Sequence, residues 1–182
     1  EMVGLEGIPA CWTWMDGQTR AAIVVVDPES GEMTVINEEG PTVAKADWDR
    51  LLADVLKLAE KADAVCISGS LPLGLHSEVM VDLVRALNKM RRRVWVDSSG
   101  GTLKSAIQAY PAVVKVNNQE AATLLGWREF QDVATAVQAA QAIQQNGISQ
   151  VILTMGKNGA VLAGDAGVWH ARPPLIKVLC PI

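Results

Sequence analysis

The chain has 182 residues, 49% of them apolar, and its 16 Lys and Arg against 20 Asp and Glu give a formal net charge of −4. That is enough for one sizeable folded core, and the acidic balance argues against a nucleic-acid partner, which needs clustered cations facing the phosphates. Cys11, Cys66 and Cys180 are too few and too dispersed for a disulfide framework or a zinc knuckle, and no apolar run reaches about 18 residues, so the expectation is a cytoplasmic protein with no membrane span and no visible export signal.

In chain order, the β-branched run over 21–26 and the short run over 33–36, separated by Asp27-Pro28-Glu29-Ser30-Gly31, predict a hairpin. After Gly40-Pro41 the apolar period changes. Trp48, Leu51, Leu52, Val55 and Ala59 recur at helical spacing and predict a long amphipathic helix ending near Ala62. Apolar strands are expected over 64–67, 94–96, 112–116 and 151–153, separated from one another by helix-like stretches. Val79, Met80, Leu83, Val84 and Leu87 form one such stripe; Val133, Val137, Ala140 and Ile143 form another, stopped by Gly147. Arg91-Arg92-Arg93, between a helix and a strand, reads as a solvated turn. Strands alternating with helices imply parallel βαβ units, and their continuous apolar runs imply cover on both faces. Runs over 160–163 and 168–171 flank Gly164-Asp165-Ala166-Gly167, and a last strand over 175–179 follows Pro173-Pro174, which together predict an antiparallel margin. One α/β layer with a small β appendage over 10–37 is the expected architecture, without internal repeat or interdomain linker.

Ligands of open α/β sheets bind outside the carboxyl ends of the strands, which singles out the loops there. At Lys115-Val116-Asn117-Asn118-Gln119-Glu120 a strand hands over to a helix opening near Asn118. A cation, an amide and a carboxylate gathered at a strand end suit a phosphate and its magnesium. The alternative for Glu120 is a first-turn carboxylate facing the helix dipole. Ser68-Gly69-Ser70-Leu71-Pro72-Leu73-Gly74 and Asp97-Ser98-Ser99-Gly100-Gly101 follow two other strands, and each reads as readily as a turn or a helix cap. In Thr154-Met155-Gly156-Lys157-Asn158-Gly159 the glycines allow close approach of an anion, although an Asn-Gly turn between strands needs no ligand. That spacing is not a Walker A loop. No Gly-x-Gly-x-x-Gly follows a strand either, so a dinucleotide oxidoreductase lacks its fingerprint. His76 and His170 have no partner spacing and receive no catalytic role.

Taken in order, Gly17-Gln18-Thr19-Arg20, Gly69-Ser70-Leu71-Pro72-Leu73-Gly74, Asp97-Ser98-Ser99-Gly100, Lys115-Val116-Asn117 with Glu120, and Thr154-x-Gly156-x-x-Gly159 resemble one family. It is the ribokinase-like, phosphofructokinase-B type carbohydrate kinases, in the branch of 1-phosphofructokinase and tagatose-6-phosphate kinase, and the likeness runs from about Gly17 to Ile182. Leu73 and Val116 stand where the family often has Pro. The resemblance implies a three-layer α/β/α fold with a mostly parallel sheet and a small β lid, with residues 1–40 in the lid region and 41–182 in the core. It also implies transfer of the γ-phosphoryl of ATP, with Mg2+, to a hydroxyl of a sugar phosphate of the fructose 1-phosphate, fructose 6-phosphate or tagatose 6-phosphate class.

By the same resemblance, Asn117 and Glu120 match an Asn-x-x-Glu motif that organises magnesium and phosphate. Lys115, Asn117, Thr154, Gly156 and Gly159 are expected at the nucleotide. Arg20 is expected to grip the substrate's phosphate and Ser70 to help hold the sugar, although Arg20 alone reads equally as a solvated hairpin cation. Trp12 and Trp14 suit the lid or a contact between two subunits, because the family often pairs through its lids, which implies a homodimer. A Gly-Ala-Gly-Asp segment carrying backbone donors and the Asp general base is expected beyond Ile182, and the family's opening strands before Glu1. The chain therefore reads as the middle of a sugar-phosphate kinase, expected to be inactive by itself; the alternative is a noncatalytic nucleotide-binding or assembly module.

Overall fold

Two separate sheets organise the residues that the computed structural model describes, which are 7–27, 30 and 32–174. The smaller pairs β1 (Ala22–Val26) antiparallel with β2 (Met33–Asn37), in a register that runs from Ala22 opposite Asn37 to Val26 opposite Met33. This is the predicted hairpin. Its connection is closed by Asp27 N–H donating to the Glu32 carbonyl at 2.9 Å and by the Ser30 hydroxyl on the Asp27 carboxylate at 2.6 Å. Pro28, Glu29 and Gly31 of that turn lie outside the described residues, as does the strand expected over 175–179.

Among the described residues the larger sheet has six strands in chain order: β3 (Ala64–Ser68), β4 (Arg93–Asp97), β5 (Val113–Asn117), β6 (Gln150–Thr154), β7 (Ala160–Gly164) and β8 (Gly167–Ala171). The first four are parallel, and β7 and β8 are antiparallel additions to β6, as the turn-rich margin predicts. Among the described residues five α-helices connect or flank them: α1 (Lys45–Ala59), α2 (Glu78–Lys89), α3 (Gly100–Ile107), α4 (Asn118–Leu125) and α5 (Val133–Gln144). Beyond α1, two turn bonds, Lys61 N–H to Leu58 O and Ala62 N–H to Ala59 O, carry the coil to the expected end at Ala62. No described helix is long and apolar enough to cross a membrane.

Neighbouring helices pack in chain order from α1 to α5, and α5 lies against β6 and β7. Under them Val94, Val96, Val114, Val116, Val151, Leu153, Val161 and Ala163 are fully buried. The alternate residues Trp95, Ile152 and Leu162 are only half-buried, and Cys66 is exposed. Cover on both faces, expected from the continuous apolar runs, is thus complete on one face among the described residues and only partial on the other, where Val113 is fully buried. The reason is topological: successive parallel strands that advance in one direction, joined by right-handed crossovers, place every connecting helix on the same side. On α5 the buried residues are Ala136, Ala139, Ala140 and Ile143, whereas Val133 and Val137 of the predicted stripe lie at its margin. Small side chains let the helix approach the sheet closely.

Candidate functional site

The carboxyl ends of β3 to β6 lie side by side because the parallel register sets Ser68 beside Asp97, Asp97 beside Lys115, and Asn117 beside Thr154. Lys115 Nζ sits 3.1 Å from each carboxylate oxygen of Asp97. Their side chains are 37% and 44% exposed, so solvent screens the pair, and it contributes no more than about 1 kcal/mol. A phosphate arriving at Lys115 therefore meets a weak competitor. By sequence, Asp97 and the serines after it are candidate caps for the next helix. In the fold Ser99 occupies the N-cap of α3 without a side-chain cap bond, and the Asp97 carboxylate turns to Lys115 instead.

Helix α4 begins directly at the end of β5, with no intervening loop. Asn117 is its N-cap: its side-chain oxygen accepts from Glu120 N–H at 2.8 Å, while the Glu120 carboxylate accepts from Asn117 N–H at 2.8 Å. The two residues read as a metal and phosphate motif thus form a reciprocal capping box, which satisfies two of the helix's orphan donors. That cap fixes where both side chains point. It uses one oxygen of each, and neither the second Glu120 oxygen nor the Asn117 amide nitrogen has a hydrogen-bond partner among the described residues. Asn118 donates to the Phe130 carbonyl at 2.8 Å and ties the helix start to the loop that leads to α5.

Thr154 closes β6, its hydroxyl 3.4 Å from the Val116 carbonyl, which is at the long limit of a hydrogen bond. A short 3₁₀ turn over Gly156–Asn158 follows, closed by Gly159 N–H to Gly156 O at 3.0 Å and by Met155 N–H to Gly159 O at 2.8 Å. Gly159 has φ +88°, and a Cβ there would meet the Ala171 carbonyl oxygen at 2.0 Å. Gly156, at φ +54°, faces open space. His170 donates from Nε2 to the Asn158 carbonyl at 2.8 Å, since a carbonyl can only accept, and Asn158 donates to the Gln131 carbonyl at 3.0 Å. The turn is thus held from two sides, and His170, unassigned from sequence, is one of the supports.

Arg20 and Ser70 lie elsewhere, on a cavity of about 720 Å³ between the β1–β2 hairpin, the start of α1 and the loop after β3. Trp12, Trp14 and Trp48 line it too, and Arg20 is the only cation among the described residues that do. The loop carrying Ser70 is pinned by Val43 N–H on the Leu73 carbonyl at 2.8 Å, and Gly74 fits there at φ +89° because a Cβ would lie 2.6 Å from the Val43 carbonyl oxygen. The fold therefore brings the proposed site residues together in two groups. Lys115, Asn117, Glu120, Thr154, Gly156 and Gly159 form one at the ends of β5 and β6; Arg20 and Ser70 form the other.

Residues 6–179 match the model of the pfkB family carbohydrate kinases. The chain is 32% identical over 176 residues to a 1-phosphofructokinase of Escherichia coli strain K12, covering 97% of this chain and 56% of that protein. It is 30% identical over 184 residues to a tagatose-6-phosphate kinase of Staphylococcus epidermidis, covering 100% of this chain and 59% of that protein. The chain thus spans little more than half the length of these relatives. Among solved structures, the phosphofructokinase-2 of Escherichia coli in its tetrameric inhibited form superposes with a TM-score of 0.86 at 28% identity, over 97% of this chain and 58% of that one. The same enzyme in complex with fructose-6-phosphate gives a TM-score of 0.85 at 26% identity, over 96% of this chain and 58% of that one.

Proposed function

The chain belongs to the pfkB family of carbohydrate kinases, and on that premise we propose that it supplies the nucleotide side and part of the sugar side of an ATP-dependent phosphotransferase. The acceptor is a hydroxyl of a sugar phosphate, of the fructose 1-phosphate, fructose 6-phosphate or tagatose 6-phosphate class. The observation that carries this reading is the cluster at the ends of β5 and β6, where Lys115, the outward halves of the Asn117–Glu120 capping box, and the Gly156–Gly159 turn stand on adjacent strands.

ATP and Mg2+ fit these residues. Among the described residues no group of three or more His, Cys, Asp or Glu could hold a metal by itself. Mg2+ dehydrates reluctantly and is commonly held by one or two carboxylates, waters and the nucleotide's own phosphates, so a single carboxylate oxygen of Glu120 suits it. Bound there, the ion would neutralise charge on the phosphates being transferred. Lys115 binds those phosphates in exchange for Asp97, and Thr154 with the backbone around Gly156 and Gly159 lines their path. Arg20 holds the phosphate the substrate already carries, in a bidentate pairing suited to its guanidinium, and Ser70 hydrogen-bonds the sugar. None of the 182 residues is assigned the general base. Two copies pair through the β1–β2 lid, and because phosphorylated sugars do not cross membranes unaided, the site of action is the cytoplasm.

Arg20→Ala, made in the full natural polypeptide that carries this sequence, tests the reading. Losing a charge-assisted contact to phosphate costs about 1.5 to 3 kcal/mol, or roughly 10- to 150-fold in kcat/KM. The loss should appear with phosphorylated sugars and be far smaller with free sugars in a coupled assay of ADP release. Equal losses on both would move Arg20 from substrate recognition to lid closure, and no sugar-dependent ADP release from the parent would overturn the assignment.

A further inference from the structure

We propose that Asp97 and Ser98 form a positioning bridge through which the nucleotide-side cation Lys115 and the sugar-side loop at Gly69–Ser70 sense each other. The inference rests on the function proposed above and adds the link between its two halves. Among the described residues, hydrogen bonds from the end of β4 reach both groups of site residues. There the Asp97 carboxylate holds Lys115 Nζ at 3.1 Å, and the Asp97 carbonyl accepts Gly69 N–H at 2.9 Å. Ser98 then donates its hydroxyl to the Gly69 carbonyl at 2.8 Å. Gly69 is therefore gripped on both sides of its α-carbon by two consecutive residues, one of which also holds the lysine.

Three further observations support a built connection. Ser98 is 4% exposed and is the only polar residue among the buried ones described, so its hydroxyl has been withdrawn from water to make this bond. Gly69 has φ +101° although a Cβ would meet nothing within 4 Å. Backbone conformation, not crowding, therefore calls for glycine here, and the grip on both its peptide groups holds that conformation in place. The Asp97–Lys115 pair, by contrast, is half-exposed and screened by solvent, and so responsive to an incoming polyphosphate. A ligand that draws Lys115 away releases the Asp97 side chain, and Asp97 is covalently joined to both anchors of Gly69. Ser70, the next residue, lines the sugar cavity.

The consequence is a coupling of affinities, which must be reciprocal. Equilibrium dialysis of MgADP with and without saturating sugar phosphate, using whichever of the three sugar phosphates binds the parent, measures it in the full natural polypeptide. The parent should show a coupling of roughly 5-fold or more. Ser98→Ala should weaken sugar phosphate binding by itself roughly 2- to 10-fold, the worth of one neutral hydrogen bond. Asp97→Asn, near-isosteric at a half-exposed carboxylate and so little disposed to unfold the protein, should alter MgADP binding instead. In both variants the coupling should fall to about 1. A purely structural role for either residue would reduce the fraction of binding-competent protein without changing that ratio. A parent ratio of 1, or a ratio that survives in either variant, overturns the bridge; a parent that binds neither ligand overturns the proposed function itself.

Discussion

At Glu120 a local structural role and the proposed chemistry fall on one residue. Its carboxylate closes a capping box with Asn117, and its second oxygen is available to a hydrated ion. The two roles separate by substitution, because Gln can still accept the Asn117 N–H bond but carries no charge. Glu120→Gln should leave the melting temperature close to the parent's, lower turnover roughly 10- to 100-fold as outer-shell metal partners do, and shift the magnesium dependence to higher concentration. Glu120→Ala should add a loss of about 1 kcal/mol of stability. Thermal melts and magnesium titrations of both variants check this; superimposable titrations for Glu120→Gln and parent would take Glu120 out of the metal site. The Asn-x-x-Glu pattern was visible in the sequence, and so was the helix opening beside it. The reciprocity of the cap was not read there, although its four-residue spacing is a capping signature in its own right.

At the scale of elements, the turn between β6 and β7 and the start of α5 carry two predictions. Gly159 and Gly156 both have positive φ, yet they differ in what surrounds them. At Gly156 an alanine costs only the left-handed backbone, about 1 to 2 kcal/mol. At Gly159 the new methyl would collide with a backbone carbonyl that no rotamer can relieve, so Gly159→Ala should lower the melting temperature clearly more than Gly156→Ala. Equal shifts would show that the β7–β8 edge gives way freely. Asp132, the N-cap of α5, accepts from Thr135 N–H at 2.8 Å, and that backbone bond, with a contribution from the Thr135 side chain, holds its carboxyl below the ordinary value of 3.8. A depressed carboxylate stabilises the folded state above the unfolded pKa, and the contribution disappears as pH falls through the lower folded value. Amide exchange at Thr135, corrected for its intrinsic pH dependence, should therefore speed up below that pH, and Asp132→Ala should abolish the transition.

For the whole molecule, the β1–β2 hairpin is the element least explained by the chain alone. A two-stranded ribbon is marginal in water, and this one exposes Ile23, Val24, Val25, Val35 and Ile36, each between 38% and 53% accessible. Its register gives it two faces. Asn37, which lines the cavity proposed for the sugar, shares a face with Val24 and Val35, leaving Ile23, Val25 and Ile36 on the other. That second face is where the proposed subunit contact belongs. Ile36→Lys should shift sedimentation from dimer toward monomer, whereas Val24→Lys should act first on the KM for sugar phosphate. A parent that sediments as a monomer at micromolar concentration, or an Ile36→Lys variant that stays dimeric, would remove the lid as the interface.

The order of strands and helices, the antiparallel margin and the grouping of polar residues at strand ends were all legible in the sequence, because apolar periodicity and turn residues act over a few positions and leave a local mark. The stripe on α5 was read slightly askew for a related reason, since Ala136 and Ala139 carry little hydrophobic signal but are the residues that let the helix sit close. Which face of the sheet is covered, by contrast, follows from strand order and crossover handedness, and neither is written in any single segment. The same holds for the pairing of Asp97 with Lys115 and the grip of Ser98 on Gly69. These contacts join residues 18 and 29 positions apart, brought together only when β3, β4 and β5 align in parallel register, so tertiary structure alone decided that the two halves of the candidate site are connected.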